Sequence, residues 1–265
     1  MQPVLLLSHG ASVFTSDPAN SLHLHLHDLG GNLLAQRPRA VLMVSAHFIQ
    51  PRWTLTSSPR PETIHDHPVA QLRSWRYPVP GAPALAKQIA DMLQASGFDV
   101  GTDGQRGLDH GAWLVAAPLF PADLQIPVLQ LSLHADLDPD THLQVGRSLR
   151  SLRAEGILVI TSGGMTHNQD EFREGFFSGG NRVGASAANH SFDAWLNERL
   201  AQKTGTARSE AIAGFMVHPD AAWAHPSPDH LMPLFVGLGA AEDSVGTRLG
   251  GGFQFGLSTA GYWLD

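Results

Sequence analysis

Histidine is the residue type in this sequence whose placement suggests chemistry. The chain contains 15 histidines, nearly as many as its 17 lysines and arginines together, and it has no cysteine. Three of them follow short apolar runs: His9 comes after VLLLS, His47 after VLMVSA and His167 after LVITSGGMT. If these runs are parallel strands, their carboxyl ends meet at one edge of a sheet, where the imidazoles can converge. Because no thiolate is present, any metal has to be bound by His, Asp or Glu, and imidazole favours iron, zinc, copper or nickel over magnesium or calcium.

Two further clusters contain side chains that can bind a metal or transfer a proton. One is the run LDHGAW, which contains Asp109 and His110, and the other is WAHPSPDH, which contains His225, Asp229 and His230. The two prolines of the second run stiffen it, which lowers the cost of holding a ligand in place. Each histidine taken alone is also explained as a loop residue that hydrogen-bonds to the backbone, so the interpretation depends on several converging.

Several other classes of site lack their sequence signatures. The chain has no G-x-S-x-G nucleophile elbow, no Walker A loop and no H-E-x-x-H zinc motif. The run Ser162-Gly163-Gly164 is glycine-rich, but it has no neighbouring lysine and no G-x-G-x-x-G pattern, so it is a weak phosphate-binding signal.

Apolar runs alternate with segments of helical spacing. Strands are expected at 4–7, 40–44, 127–133, 156–160, 212–217 and 253–257. Helices are expected around the apolar stripes at 22–34, 85–93, 145–152 and 192–200. Residues 51–83 are expected to form a long loop and residues 175–184 a glycine-rich flap. We therefore predict an α/β fold with one catalytic domain over residues 1–265, a mostly parallel central sheet flanked by helices, and an active site at the carboxyl ends of the strands.

The overall charge restricts the partners. A formal net charge of −7 at pH 7 disfavours binding to nucleic acid or to an anionic membrane. The first residues lack the pattern of a signal peptide, and no run of about 18 apolar residues predicts a transmembrane helix. These features predict a cytoplasmic protein with a small-molecule substrate, and they leave its oligomeric state open.

The motifs together resemble a known enzyme family. The sequence is similar to the class III (LigB-type) extradiol ring-cleavage dioxygenases, in particular to the branch of 4,5-DOPA extradiol dioxygenases. The matching pieces span nearly the whole chain in the family's order: LLLSHGAS, VSAHF, PETIHD, YPVPGAPALA, LDHGAW, TSGGMTHN and AHPSPDHLMPLFVGLGAA.

This resemblance implies both a reaction and its residues. It implies a metal bound by His9, His47 and His230, with His167 as the catalytic acid/base and His110 assisting in the pocket. The implied cofactor is non-haem Fe(II), although Zn(II) can occupy such a site as isolated. The implied substrates are O₂ and a DOPA-like catechol, whose ring opens to a semialdehyde acid.

The sequence departs from the family pattern at two places. Distant relatives use two histidines and one carboxylate, so Asp229, His225 or His167 are further candidates for metal contact, and we interpret His225 as lining the pocket. The segment His67-Pro68-Val69 replaces an aromatic and glycines, which brings DOPA itself into question.

Other residues are candidates for the substrate pocket. Phe14 and Phe48 are candidate pocket walls, and Trp113 is interpreted as core packing. Arg76 and Arg182 occupy loops from which an arginine can reach a substrate carboxylate.

Two other functions are compatible with a histidine cluster. A zinc hydrolase binds Zn²⁺ with three histidines and activates water. A non-enzymatic, Memo-like binding module shares the fold and predicts an occluded or incomplete metal site. O₂ uptake with a catechol under Fe(II), against hydrolysis under Zn²⁺, distinguishes the two enzymes.

Overall fold

A mostly parallel sheet organises the molecule. The computed structural model describes residues 1–67, 69–177, 184–202 and 204–265, without the side chains of residues 13, 14 and 202. The described strands are β1 (Val4–Ser8), β2 (Ala40–Gln50), β3 (Trp53–Thr56), β4 (Val100–Asp103), β5 (Val128–His134), β6 (Ile157–Gly163), β7 (Gly246–Leu249), β8 (Phe253–Gln254), β9 (Leu257–Ser258) and β10 (Gly261–Leu264). Within these residues, one sheet of eight strands has the order β4-β3-β5-β2-β6-β1-β10-β7.

The four central strands run in the same direction. Strands β5, β2, β6 and β1 pair in parallel, so their carboxyl ends share one edge. Strands β10 and β7 continue the sheet antiparallel on one side. On the other side β3 is antiparallel to β5 and parallel to β4. The predicted α/β fold with a mostly parallel central sheet is confirmed.

Helices cover both faces of this sheet. The described helices are α1 (Ser12–Thr15), α2 (Ser21–Leu33), α3 (Pro83–Ala95), α4 (His110–Leu119), α5 (Pro139–Leu149), α6 (Gln169–Phe177), α7 (Ala187–Gln202), α8 (Gly205–Ala213), α9 (Ala221–Ala224) and α10 (Met232–Ala240). In β1, Val4 and Leu6 belong to the core cluster on the face covered by α3, α5, α7 and α10, whereas Leu5 and Leu7 belong to the cluster on the face covered by α2 and α4. This double burial explains why the central strands are continuous apolar runs. Helices α2, α3, α5 and α7 lie where the apolar stripes predict them.

Two predicted strands are wrong. Residues 212–217 contain the end of α8 and a 3-10 turn. Within this run only Ile212 and Phe215 are buried, and they are three positions apart. Met216 and Val217 are 61% and 85% exposed, so this apolar run has helical rather than strand periodicity. Residues 253–257 do not form one strand either. They belong to the hairpin β8-β9, whose turn residues Phe255 and Gly256 both have positive φ, of 49° and 86°.

The two predicted irregular segments differ from the expectation in different ways. Residues 51–83 include strand β3 and a 3-10 turn over Ala70–Leu72, so they are not one continuous loop. Of the expected flap, Gly175–Phe177 form the end of α6, whereas residues 178–183 lie outside the described residues. Within the described part of the chain, no helix has both the length and the apolar character needed to cross a bilayer.

Candidate active site

The carboxyl edge of the sheet brings the predicted histidines together. His9 directly follows β1, and His167 follows β6 after three residues. His47 does not follow a strand as predicted, because β2 continues to Gln50. Its pairing with β5 shifts register between Val44 and Ile49, so β2 is irregular around His47. A local irregularity of this kind can re-aim a side chain, and the ring of His47 lies at the same edge although the residue is within a strand.

Three imidazoles form a nearly equilateral triangle at this edge. The ring centroids of His9 and His47 are 5.0 Å apart, those of His9 and His230 are 5.3 Å apart, and those of His47 and His230 are 4.9 Å apart. The Nε2 atoms of His9 and His47 are separated by 3.2 Å. This is the spacing of two nitrogen ligands that each lie about 2.1 Å from one ion. The donor set therefore fits a single metal ion.

Hydrogen bonds at the outer nitrogens fix the tautomers of His9 and His230. The Ser162 hydroxyl donates to the Gly111 carbonyl over 2.6 Å, so its oxygen accepts the proton of His9 Nδ1, 3.1 Å away. Asp229 Oδ2 accepts the proton of His230 Nδ1 over 2.5 Å. His230 Nε2 is then an unprotonated, buried nitrogen without a hydrogen-bond partner among the described residues. Partners of this kind orient metal-binding histidines in many proteins.

The run Ser162-Gly163-Gly164 aligns the two histidines rather than a phosphate. The backbone N–H of His9 donates to the Gly163 carbonyl over 3.1 Å, and the N–H of Gly164 donates to the His230 carbonyl over 3.0 Å. A Cβ atom at Gly163 would overlap the carbonyl oxygen of His230, so glycine is required for this close approach. The end of β6 thus ties together residues from opposite ends of the sequence.

His110 lies beside this triangle as the first residue of α4. Its ring centroid is 3.9 Å from that of His47. Asp109 caps the helix by accepting the N–H of Ala112 over 3.1 Å, and it also accepts the Ser45 hydroxyl over 2.7 Å. Asp66 Oδ1 accepts the backbone N–H of His110 over 2.9 Å and lies 2.9 Å from its Nδ1. Burial alone would raise the pKa of Asp66, but the hydrogen bond and charge interaction with His110 lower it to about 2.

His167 approaches the site from the other side. Its ring stacks on His230 with centroids 3.4 Å apart and planes at 8°. Its Nε2 accepts the side-chain N–H of Gln169 over 3.0 Å. Donor atoms of His167, Asp229 and His230 lie within 4.8 Å of one another, as do those of His9, His47 and His110. The two groups are joined by the His9, His47 and His230 triangle.

His225 does not line the pocket, contrary to the interpretation from sequence. It is 2% exposed, packs against Phe192 and donates its Nε2 proton to the Met165 carbonyl over 3.1 Å. It therefore supports the segment that carries His167, whose backbone N–H donates to the neighbouring Ala224 carbonyl over 2.7 Å.

The buried imidazoles are neutral near pH 7. Burial lowers the pKa of His47 and of His167 to about 4 and that of His230 to about 3. The pKa of His9 lies well below its ordinary value, first because of burial and then because of the surrounding imidazoles. Neutral imidazole is the form that binds a metal, so these rings need lose no proton on binding.

These depressed pKa values predict that the metal-free protein is acid-labile. Between pH 6.5 and about 4, the unfolded chain binds protons on His47, His167 and His225, whereas the folded chain keeps these rings neutral. Each such group lowers the free energy of unfolding by about 1.4 kcal/mol per pH unit in this window. Thermal unfolding in a chelator is therefore expected to shift to lower temperature as the pH falls from 7 to 4.5. A midpoint that does not change with pH would contradict this prediction, and His225→Asn should flatten the slope.

A cleft of about 790 Å³ opens above the histidines. The cleft lining includes His9, His47, His110, His167 and His230, and on the α6 side Phe172, Phe176 and Phe177. Asp66 and Arg173 are the charged residues other than histidine among its described lining residues. The cleft thus combines an imidazole floor with an aromatic wall, which suits a flat aromatic molecule.

The aromatic wall comes from other residues than the sequence indicated. Phe48 is buried under the Arg106 guanidinium, 4.0 Å from its ring centre, and does not line the cleft. Trp113 is 1% exposed and donates to the Ile64 carbonyl over 2.9 Å, as core packing predicts. The side chain of Phe14 and all of Arg182 lie outside the described residues. Arg76 donates to His65 and to backbone carbonyls outside the cleft.

Sequence reasoning missed the contributions of α6 and of Ser162. The i, i+4 spacing of Phe172 and Phe176 is a helical signal, but the segment is otherwise polar and was not predicted as a helix. Arg173 lies between them in sequence. Ser162 belongs to a motif that was noted, yet its bond to His9 depends on a contact between β6 and β1 that no sequence pattern shows.

Comparison with known proteins agrees with this architecture. Residues 3–255 match the family described as the catalytic LigB subunit of aromatic ring-opening dioxygenase. The "4,5-DOPA dioxygenase extradiol" of Beta vulgaris is 33% identical over 252 residues, covering 94% of this chain and 90% of the relative. The protein of the same name from Escherichia coli K12 is 32% identical over 244 residues, covering 90% and 84%.

The fold is also shared with a solved structure. The crystal structure of an uncharacterized Escherichia coli K12 protein superposes with a TM-score of 0.82 at 28% identity, and the match covers 100% of both chains. Enzymes of the matching family depend on a non-haem metal, and they act on a small molecule and O₂. The chain belongs to the LigB family of aromatic ring-opening dioxygenases and is an extradiol dioxygenase.

Proposed function

We propose that this protein, as one catalytic domain over residues 1–265, opens the ring of a DOPA-like catechol to a semialdehyde acid. In this proposal His9, His47 and His230 bind the metal, His167 is the acid/base and His110 assists in the pocket. The observation that carries it is the triangle of three imidazole rings with centroids 4.9 to 5.3 Å apart below an open cleft.

The donor set supports Fe(II) as the functional cofactor. Three neutral nitrogen donors suit iron and zinc, and Zn(II) can occupy the isolated protein because it binds such sites strongly. When bound, non-haem Fe(II) supplies the redox chemistry that joins O₂ to the catechol ring. The open cleft argues against an occluded, non-enzymatic binding site, and membership of the family favours ring opening over zinc-dependent hydrolysis.

Proton transfer is assigned to His167. His167 lines the cleft, and its Nε2 is held by a neutral amide N–H of Gln169, which a substrate hydroxyl can displace. The neutral ring then accepts the hydroxyl proton at Nε2 and returns it later in the reaction. General acid–base assistance of this kind contributes about 10²–10⁴-fold to the rate. His110 can accept a hydrogen bond from the second hydroxyl on the opposite side of the triangle.

The cleft wall indicates the shape of the substrate. A catechol ring fits between the imidazole floor and the phenyl rings of Phe172 and Phe176. The names of the Beta vulgaris and Escherichia coli relatives specify DOPA, which supports a DOPA-like side chain on that ring. Arg173 is then the described cation on the cleft that can pair with a substrate carboxylate.

Arg173→Gln is expected to raise the KM for a catechol that bears a carboxylate, with little effect on 4-methylcatechol. Its existing partner, Asp170, lies 3.1 Å away and is 92% exposed, so this ion pair is weak and can be exchanged for a substrate. Losing one charge-assisted contact predicts a rise of roughly 10-fold. Arg76→Gln is the matched control, since that guanidinium lies outside the cleft. Equal changes for both catechols would contradict the role of Arg173.

Anaerobic reconstitution tests the proposed function directly. The protein is loaded with one equivalent of Fe(II), and O₂ uptake is recorded with a panel of catechols. A stoichiometric O₂ uptake with a ring-opened semialdehyde product is expected, and its spectrum identifies which ring bond breaks. Full iron content without uptake on any catechol would refute the proposal.

A further inference from the structure

We propose that Asp66 is a positioning residue that fixes the ring of His110, so that His110 Nε2 is the hydrogen-bond acceptor presented to the substrate. The inference rests on the proposed function and assigns a task to a carboxylate that the reaction does not otherwise use. Asp66 Oδ1 accepts the backbone N–H of His110 over 2.9 Å, and it lies 2.9 Å from Nδ1 of the same residue as a close charge contact rather than an aligned hydrogen bond. A carboxylate beside Nδ1 keeps the proton on that nitrogen and leaves Nε2 as the acceptor.

The segment that carries Asp66 is anchored to the start of α4. The N–H of Ile64 donates to the Leu108 carbonyl and the N–H of Leu108 donates to the Glu62 carbonyl, both over 2.8 Å. The indole of Trp113 also donates to the Ile64 carbonyl, over 2.9 Å. These bonds lie immediately before Asp66 in sequence and next to His110. The Asp66 carboxylate is therefore held beside the His110 ring by a segment that is fixed by hydrogen bonds.

Asp109 and Asp66 both lie at the start of α4, but they make different contacts. Asp109 is fully buried and caps α4 through the N–H of Ala112, and Gln130 donates to it over 2.7 Å. Asp66, in contrast, lines the cleft together with His110, and its side chain is 30% exposed. Because Asp109 already secures the helix, a substitution at Asp66 should change the ring of His110 more than the fold.

The ring of His110 lies beside the proposed metal triangle, where its Nε2 can accept a hydrogen bond from a substrate hydroxyl. Its centroid lies 3.9 Å from that of His47 and 5.8 Å from that of His9, at the rim of the proposed metal triangle. A substrate hydroxyl near that triangle therefore meets His110 as well as His167, which lies on the opposite side against His230. The wrong tautomer would present an N–H donor to that hydroxyl instead of a lone pair.

The first test measures the tautomer. Protein labelled with ¹⁵N-histidine, in the metal-free and in the Zn(II)-loaded form, is expected to show His110 protonated at Nδ1. In Asp66→Ala the Nε2–H tautomer should appear, whereas Asp66→Asn, whose amide oxygen can still accept, should retain the original form. Asp138→Ala is the matched control, since Asp138 caps α5 by accepting the N–H of Thr141 over 2.8 Å. Nε2–H at His110 in the unmodified protein would overturn the proposal.

The second test measures whether Asp66 acts through His110. With the Fe(II)-loaded protein, Asp66→Ala is expected to lower kcat about 10–100-fold at unchanged metal content, by analogy with the loss of the partner that orients a metal-bound histidine. Asp66→Asn should recover part of this loss. In a His110→Ala background, Asp66→Ala should cause no further loss, because the residues act as one unit. An additive loss, or a loss of metal, would overturn the inference; absence of O₂ uptake by the unmodified protein would instead refute the proposed function.

Discussion

Alanine in place of His9, His47 or His230 is expected to abolish retention of one equivalent of Fe(II) or Zn(II). Each substitution removes one corner of the imidazole triangle and leaves two protein nitrogens, while the cavity fills with water. Loss of an orienting partner alone weakens metal binding by about 10–100-fold, so loss of a ligand should exceed about 100-fold. Metal content after gel filtration and O₂ uptake with a catechol are the measurements, and both should fall to background.

Two other histidines serve as controls for this prediction. His142 is fully buried but lies away from the cleft, where its Nδ1 donates to the Asp138 carbonyl over 2.7 Å. His142→Ala should lower the thermal stability and keep the full metal content. His110→Ala should also keep the metal, although donor atoms of His110, His9 and His47 lie within 4.8 Å of one another. Full metal retention in any of the three triangle variants, or metal loss in His110→Ala, would refute the ligand assignment.

His167→Ala is expected to separate catalysis from metal binding. The variant should retain the metal, because the proposed ligands keep their outer hydrogen bonds to Ser162 and Asp229. Its kcat should fall by about 10²–10⁴-fold, the contribution of a general acid or base. The KM for the catechol should change much less, since the phenyl wall on α6 is untouched.

Chemical rescue provides the control for His167. The deleted ring faces a cleft of about 790 Å³, so added imidazole can enter the vacated space. Partial recovery of kcat with imidazole, but not with an equal concentration of a neutral salt, is expected. If His167→Ala loses the metal, His167 is a ligand and the division of roles is wrong.

The sequence was most informative where a residue directly follows a buried strand. His9 and His167 lie at the predicted edge because β1 and β6 read as continuous apolar runs. His47 lies at the predicted edge but within β2 rather than after it, because the register shift around this residue depends on how β2 pairs with β5. Strand pairing joins residues that are far apart in sequence, so the local pattern of apolar residues cannot predict its register.

Residues that act by contacting a histidine of the site were the hardest to predict from sequence. Ser162 bonds to the ring of His9, which follows another strand, and Asp66 approaches His110 from a segment whose sequence predicts only a loop. The wrong strand at 212–217 has a simpler cause. Its composition is apolar, but Met216 and Val217 face outward, and one short apolar run cannot distinguish a strand from a half-buried helical turn.

The triangle is assembled from widely separated parts of the chain, which has a consequence for biosynthesis. His230 is synthesised long after His9 and His47, and its carbonyl is fixed by the end of β6. If His9, His47 and His230 bind the metal as proposed, the ion can be captured only after the parallel strands have paired, a non-local and comparatively slow event. An ion bound at the proposed site would join widely separated parts of the chain and would favour the native state by about 4 kcal/mol when free metal exceeds Kd by 1,000-fold. Metal supply should accordingly influence how much of the newly made protein survives proteolysis, and not only how much of it is active.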